Sequence, residues 1–130
     1  MGEKRILVVA DDPDLRALYR FVLQRGGGYA SLEAHGKRSQ VEAGLWGEPY
    51  DLLLLEVFLS LFNGIRLIGE ARERLGPHFP IVAIGGPFDH ELKARALGAG
   101  ADRVFHKPLD PHRLVDAVRE LLGDGHVAVR

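Results

Sequence analysis

Short apolar runs without polar alternation recur along the chain, each followed by a break and then by apolar residues at helical spacing. Arg5 to Ala10 (RILVVA) is the first such run, and its β-branched content with no exposed face predicts a strand covered on both sides. Asp11-Asp12-Pro13-Asp14 interrupts it with N-cap chemistry, and Leu15, Leu18, Tyr19, Val22 and Leu23 then fall on one helical face. Gly26-Gly27-Gly28 is expected to stop that helix. Tyr29 to Ala34 reads as a weaker strand, and Lys37 to Trp46 as a helix with Val41, Leu45 and Trp46 inward. Leu52 to Leu55 is the most apolar segment and predicts a central strand, followed by a helix over Ile65 to Leu75 that Gly76-Pro77 ends. The pattern repeats twice more. Ile81 to Ile84 is followed by a helix over Asp89 to Leu97, and Arg103 to His106 by a helix from about Asp110 with Leu114, Val115, Val118, Leu121 and Leu122 on its core face.

Five strands alternating with five helices predict an α/β fold, a doubly wound parallel sheet with right-handed crossovers. Ligands of such sheets bind beyond the carboxyl ends of the strands. Those ends carry Asp11 and Asp12, Glu56, Gly85-Gly86 and Lys107, so three acids and a lysine are expected at one edge. Glu56 is the odd member, because a carboxylate closing a run of four leucines is costly to bury unless something pairs with it or uses it.

Bulk properties narrow the classes without choosing a function. With 130 residues, 46% hydrophobic and 27% charged, the chain suits one globular domain, expected over 1–125 with a short tail at 126–130 and no effector domain. A net charge of −1 gives no reason to expect nucleic acid or an anionic membrane as partner. The absence of cysteine excludes disulfides and thiolate metal sites and suits a cytoplasmic protein. No run approaches the roughly 18 apolar residues of a membrane span, and Met1-Gly2-Glu3-Lys4 is too polar to open a secretory signal. His78, His90, His106 and His112 lack metal-ligand spacing and are expected to be solvated or locally bonded; Gly85-Gly86-Pro87 is expected to be a plain turn. With no nucleophile–base pair and no phosphate loop, no enzyme is expected, and a small-molecule binder of the same fold is the weaker alternative.

The segments ILVVADDPDLR (6–16), DLLLLEVFLSLFNG (51–64), PIVAIGG (80–86) and ALGAGADRVFHKPLD (96–110), taken in order, resemble the receiver domain of two-component response regulators over nearly the whole chain. The resemblance implies a flavodoxin-like five-stranded sheet of order 2-1-3-4-5, Mg²⁺ binding, and phosphoryl transfer from a histidine kinase to an aspartate. It also implies a protein partner: a kinase, a phosphotransfer protein, another regulator, or a second copy of the chain in a homodimer. A cis bond is expected at Lys107-Pro108.

This sequence departs from the family pattern where the chemistry lies. The first acid after strand one is replaced by Ala10, a degraded metal position, while Asp11 stands and Asp12 follows it. The phosphoacceptor position holds Glu56, the hydroxyl-sensing position Gly85 and the aromatic switch position Val104, while the lysine is kept as Lys107. Glutamate carries its carboxylate about one C–C bond further into the pocket, and a misplacement of about 1 Å can cost ~10²-fold in transfer. At most a weak Mg²⁺ site at Asp11 and Glu56 is expected to survive. The expectation is therefore a phosphorylation-independent pseudo-receiver, with a still-active Mg²⁺-dependent phosphoacceptor as the alternative. Glu56 then acts either as a phosphoryl mimic or as an ion-pair partner of Lys107, and Asp11 and Asp12 either as a residual cation site or as helix caps. Phe58, Leu59, Leu61 and Phe62, with Ser60 where the family has proline, are either core or a partner-binding patch. Arg103, Arg113 and Ala117 replace the charges that pair receivers of the transcription-factor branch, which makes that dimer doubtful.

Overall fold

The computed structural model describes residues 4–123 except Ala30, Gly36, Glu48 and 60–62, with the backbone alone given at 31–35, 38 and 39. Residues 1–3, Ser60, Leu61, Phe62 and the tail from 124 onward lie outside the described residues. The strands are β1 (Arg5–Val9), β2 (Ser31–His35), β3 (Leu52–Glu56), β4 (Ile81–Ile84) and β5 (Arg103–Phe105). They alternate with α1 (Pro13–Gly27), α2 (Arg38–Gly47), α3 (Gly64–Leu75), α4 (His90–Ala99) and α5 (Pro111–Leu122). The sheet is parallel with strand order β2-β1-β3-β4-β5, which places β3 at its centre.

Strand parity divides the core into two layers. Leu7, Val9, Leu53, Leu55, Ile81 and Ala83 face one side, where Val41, Leu45, Leu67, Ile68 and Leu92 of α2, α3 and α4 cover them. Ile6, Val8, Leu52, Leu54, Val82 and Ile84 face the other, against Tyr19, Leu23, Leu114 and Val118 of α1 and α5. Both faces of β1, β3 and β4 are thus sealed, which is why their sequences show no polar alternation.

Helix ends follow their capping residues. Asp12, Asn63, Asp89 and Asp110 each accept a backbone N–H from the first turn of α1, α3, α4 and α5. Gly26 and Gly27 do not stop α1 but form its last turn. The stop is Gly28, whose φ of 72° turns the chain so that its own N–H donates to the Gln24 carbonyl and the Tyr29 N–H to that of Leu23. The second strand begins at Ser31 instead of Tyr29, and the ring of Tyr29 is buried in the α1–α5 layer. Leu18, expected in the core, is 49% exposed, because an apolar arc five residues wide exceeds what the sheet and α5 can cover. Gly64 is required for space: a Cβ there would collide with the backbone of Glu56 and Val57, so its absence lets α3 start tight against the end of β3.

Candidate functional site

Glu56 is the last residue of β3 and shares the parity of Leu52 and Leu54, so its side chain is directed to the α1–α5 layer. It is only 7% exposed, the one polar or charged side chain among the buried described residues. Extending the β1–β3 register beyond Val9↔Leu55 sets Ala10 beside it, and Ala10 is fully buried. Lys107 arrives from the loop after β5, across the cis Lys107-Pro108 bond, and its Nζ donates to Glu56 Oε1 at 3.0 Å. The second carboxylate oxygen is taken as well. The hydroxyl of Tyr19, from the second turn of α1, donates a hydrogen bond to Glu56 Oε2.

Tyr19 is the participant that periodicity alone did not reveal. It lies on the apolar face of α1 at i+4 from Leu15, and its ring is 2% exposed within the same layer as Ala10. Burial, reinforced by the hydrogen bond to the Glu56 carboxylate and by its charge, pushes the phenol well above the ordinary tyrosine range. A group whose folded pKa is raised contributes stability that is complete below its unfolded pKa, here about 10, and is lost as pH climbs beyond it. Above about pH 10 the unfolding free energy should therefore lose up to about 1.4 kcal/mol per pH unit through Tyr19. Urea unfolding at two alkaline pH values tests this, since Tyr19→Phe should remove that component while Tyr29 and Tyr50 contribute equally to both proteins.

The other expected site residues occupy the same edge in different roles. Asp11 is half-buried just beyond β1. Asp12 is exposed, and its Oδ1 accepts the Asp14 N–H at 2.8 Å as the cap of α1. Arg16, which the sequence did not single out, lays Nη1 on the carbonyl oxygens of Ala10 and Asp11 at 2.6 and 3.0 Å, so a guanidinium closes the carboxyl end of β1. Gly85 is buried; a Cβ there would stand 3.0 Å from Leu92 Cδ2, so any side chain at 85 requires Leu92 to move. Val104 is partly buried against the α2–α3–α4 layer, away from Glu56.

Aromatic side chains rim the opening. Phe58 is 65% exposed and stands beside Gly86, and Phe88 is 55% exposed. Phe88 meets His106 and His90 edge-on, with ring centroids 4.7 and 4.4 Å away. The expectation of a solvated or hydrogen-bonded imidazole fails for His106: both ring nitrogens are buried without a hydrogen-bond partner among the described residues, because Phe88 covers the ring. On the α1 side, Tyr19 and Lys107 also line an apolar groove of about 230 Å³ with Leu15, Leu18, Val22 and Leu109.

Residues 6–119 match the response regulator receiver domain family. The chain is 33% identical over 121 residues to the phosphate regulon transcriptional regulatory protein PhoB of Escherichia coli, a match covering 92% of this chain and 52% of that protein. It is 32% identical over 121 residues to a 14.6 kDa protein of Leptolyngbya boryana, covering 92% of this chain and 91% of that one. Among solved structures, a CheY-like response regulator receiver domain protein from Methanospirillum hungatei superposes with a TM-score of 0.83 at 26% identity, covering 97% of this chain and 98% of that chain. The receiver domain of NtrX from Brucella abortus gives 0.81 at 26% identity over 91% and 98%. The chain spans about half the length, 52%, of the PhoB regulators it matches.

Proposed function

Because the chain belongs to the response regulator receiver family of two-component signalling, we propose that it is a phosphorylation-independent member that signals through protein contacts. One observation carries this reading: both oxygens of the carboxylate at the acceptor position are committed, Oε1 to Lys107 and Oε2 to Tyr19. An acceptor must present an oxygen in line with an incoming phosphorus atom, at about 3 Å and with its lone pair available. Each Glu56 oxygen keeps a second lone pair, but two charge-assisted hydrogen bonds already fix the orientation of this buried carboxylate and draw down its charge, which weakens it as a nucleophile.

A resident Mg²⁺ does not suit these side chains. Position 10 offers a methyl group in place of an oxygen, Glu56 is engaged twice and Asp12 caps α1, and no cluster of three or more acids or histidines able to hold a metal ion occurs among the described residues. Mg²⁺ holds its octahedral shell reluctantly on so few placed carboxylates. The pair with Lys107 favours the ion-pair role of Glu56 over mimicry of a phosphoryl group, since Gly85 and Val104 bring neither the hydroxyl nor the aromatic ring that would register such a mimic. The chain is then no enzyme, and its output depends on the proteins that bind it. The exposed Phe58 and Phe88 beside the pocket supply apolar area of the kind partner surfaces use.

Among the described residues no helix is long and apolar enough to cross a membrane. A soluble partner such as a kinase, a phosphotransfer protein or another regulator fits this reading, in the cytoplasm. The test is incubation with acetyl phosphate and Mg²⁺ followed by intact-mass measurement. The unmodified mass should persist, whereas an adduct of one phosphoryl group that disappears in Glu56→Gln would establish an active phosphoacceptor instead.

A further inference from the structure

We infer that Tyr19 is the positioning residue that closes this site, its hydroxyl taking the place beside the acceptor carboxylate that a divalent cation would otherwise claim. The inference rests on the phosphorylation-independent reading and adds to it a specific cause.

The parts fit together through strand parity. Ala10, just beyond β1, and Glu56, at the end of the neighbouring β3, belong to the face that α1 and α5 cover, and Tyr19 is the large α1 side chain of that layer. Loss of an acid at position 10 removes both an oxygen ligand and a negative charge, which leaves an apolar site suited to an aromatic ring. The extra methylene of glutamate carries the position-56 carboxylate away from its strand toward α1, where the phenol meets it. Alanine at 10, glutamate at 56 and tyrosine at 19 therefore form a matched set. A hydroxyl donor on Oε2 supplies the positive pole that a carboxylate needs when buried, without the geometric demands of a metal ion. Lys107 satisfies Oε1, so the carboxylate is held by both α1 and the loop after β5.

The competition can be read directly, because Tyr19→Phe keeps the ring and its packing and removes only the donor. Mg²⁺ is titrated into four proteins (wild type, Tyr19→Phe, Ala10→Asp and Ala10→Asp/Tyr19→Phe) while amide shifts of Asp11, Glu56 and Lys107 are followed by NMR. The wild type should show no saturable shift. Ala10→Asp/Tyr19→Phe should bind about tenfold more tightly than Ala10→Asp, the equilibrium worth of one charge-assisted hydrogen bond released. Equal affinity with and without the hydroxyl would overturn the inference, leaving the ring as core packing only. If Ala10→Asp does not fold, the comparison of Tyr19→Phe with wild type still decides: a Mg²⁺-dependent shift confined to Asp11 and Glu56 in the variant supports the role, and identical behaviour of the two overturns it. Failure here is distinguishable from failure of the parent reading, which depends on the wild-type protein with acetyl phosphate.

Discussion

Replacing Lys107 by methionine should destabilise the protein by about 3 kcal/mol. The substitution keeps the apolar stem that lines the α1 groove and removes only the ammonium group. Glu56 would then hold a buried negative charge with Tyr19 as its only hydrogen-bond partner among the described residues. Breaking a buried pair by removing one member costs about 3–5 kcal/mol. The lower end applies because the Lys107 side chain is 37% exposed, so water screens part of the interaction. The double variant Glu56→Gln/Lys107→Met should recover at least about half of the loss, since a neutral amide still accepts from Tyr19 and no longer needs a counter-charge. Urea unfolding measures both. A loss below about 1 kcal/mol in Lys107→Met would place the pair in the weak class of surface ion pairs.

Arg72→Ala should cost about 3–4 kcal/mol without touching the site. Its guanidinium gathers the amino edge of the sheet into one network. Nη1 donates to the carbonyls of Gly76 and Phe79 at 2.8 and 2.6 Å, and Nη2 to Gly100 and Asp102 at 2.6 and 3.0 Å. Nε also reaches Gly100 at 3.1 Å, and the same Asp102 oxygen accepts the Ile81 N–H at 2.8 Å, which fixes the start of β4. Removing the fork takes the shared donor from three carbonyls and a carboxylate at half-buried positions, and a lysine cannot reproduce its planar geometry. Arg72→Lys should therefore regain only a minor part of the loss. Because Glu56 lies at the opposite ends of the strands, its NMR environment should stay as in the wild type, which separates stability from site.

The sheet was legible because its runs are apolar on both faces and each is followed by a helical stripe. Reading the strand ends then found Asp11, Asp12, Glu56, Gly85 and Lys107 at one edge. Tyr19 escaped for a physical reason: helical period assigns a residue to a face and says nothing of what its polar tip meets across the layer. Strand parity holds the missing information, since Glu56 shares its side of the sheet with Leu52 and Leu54, but only the packed fold says which helices cover that side. Arg72 was invisible in the same way, because its carbonyl partners come from two separate loops, Gly76 and Phe79 before β4 and Gly100 before β5. Asp12 shows the converse: of the two roles the sequence left open to it, cation ligand or helix cap, its side chain takes the cap of α1. His106 fell outside default expectation because a neighbouring aromatic ring, absent from any local pattern, buries it.

The most direct test of a closed acceptor site is to present the wild-type protein with beryllium fluoride and Mg²⁺ and follow the NMR signals of Asp11, Glu56, Gly85 and Lys107. Beryllium fluoride mimics a phosphoryl group on a carboxylate and needs the same available oxygen. These signals should stay where they are at saturating reagent, with Glu56 still bonded to Tyr19 and Lys107. A stoichiometric, saturable shift of all four would contradict the account and return the chain to the active phosphoacceptors.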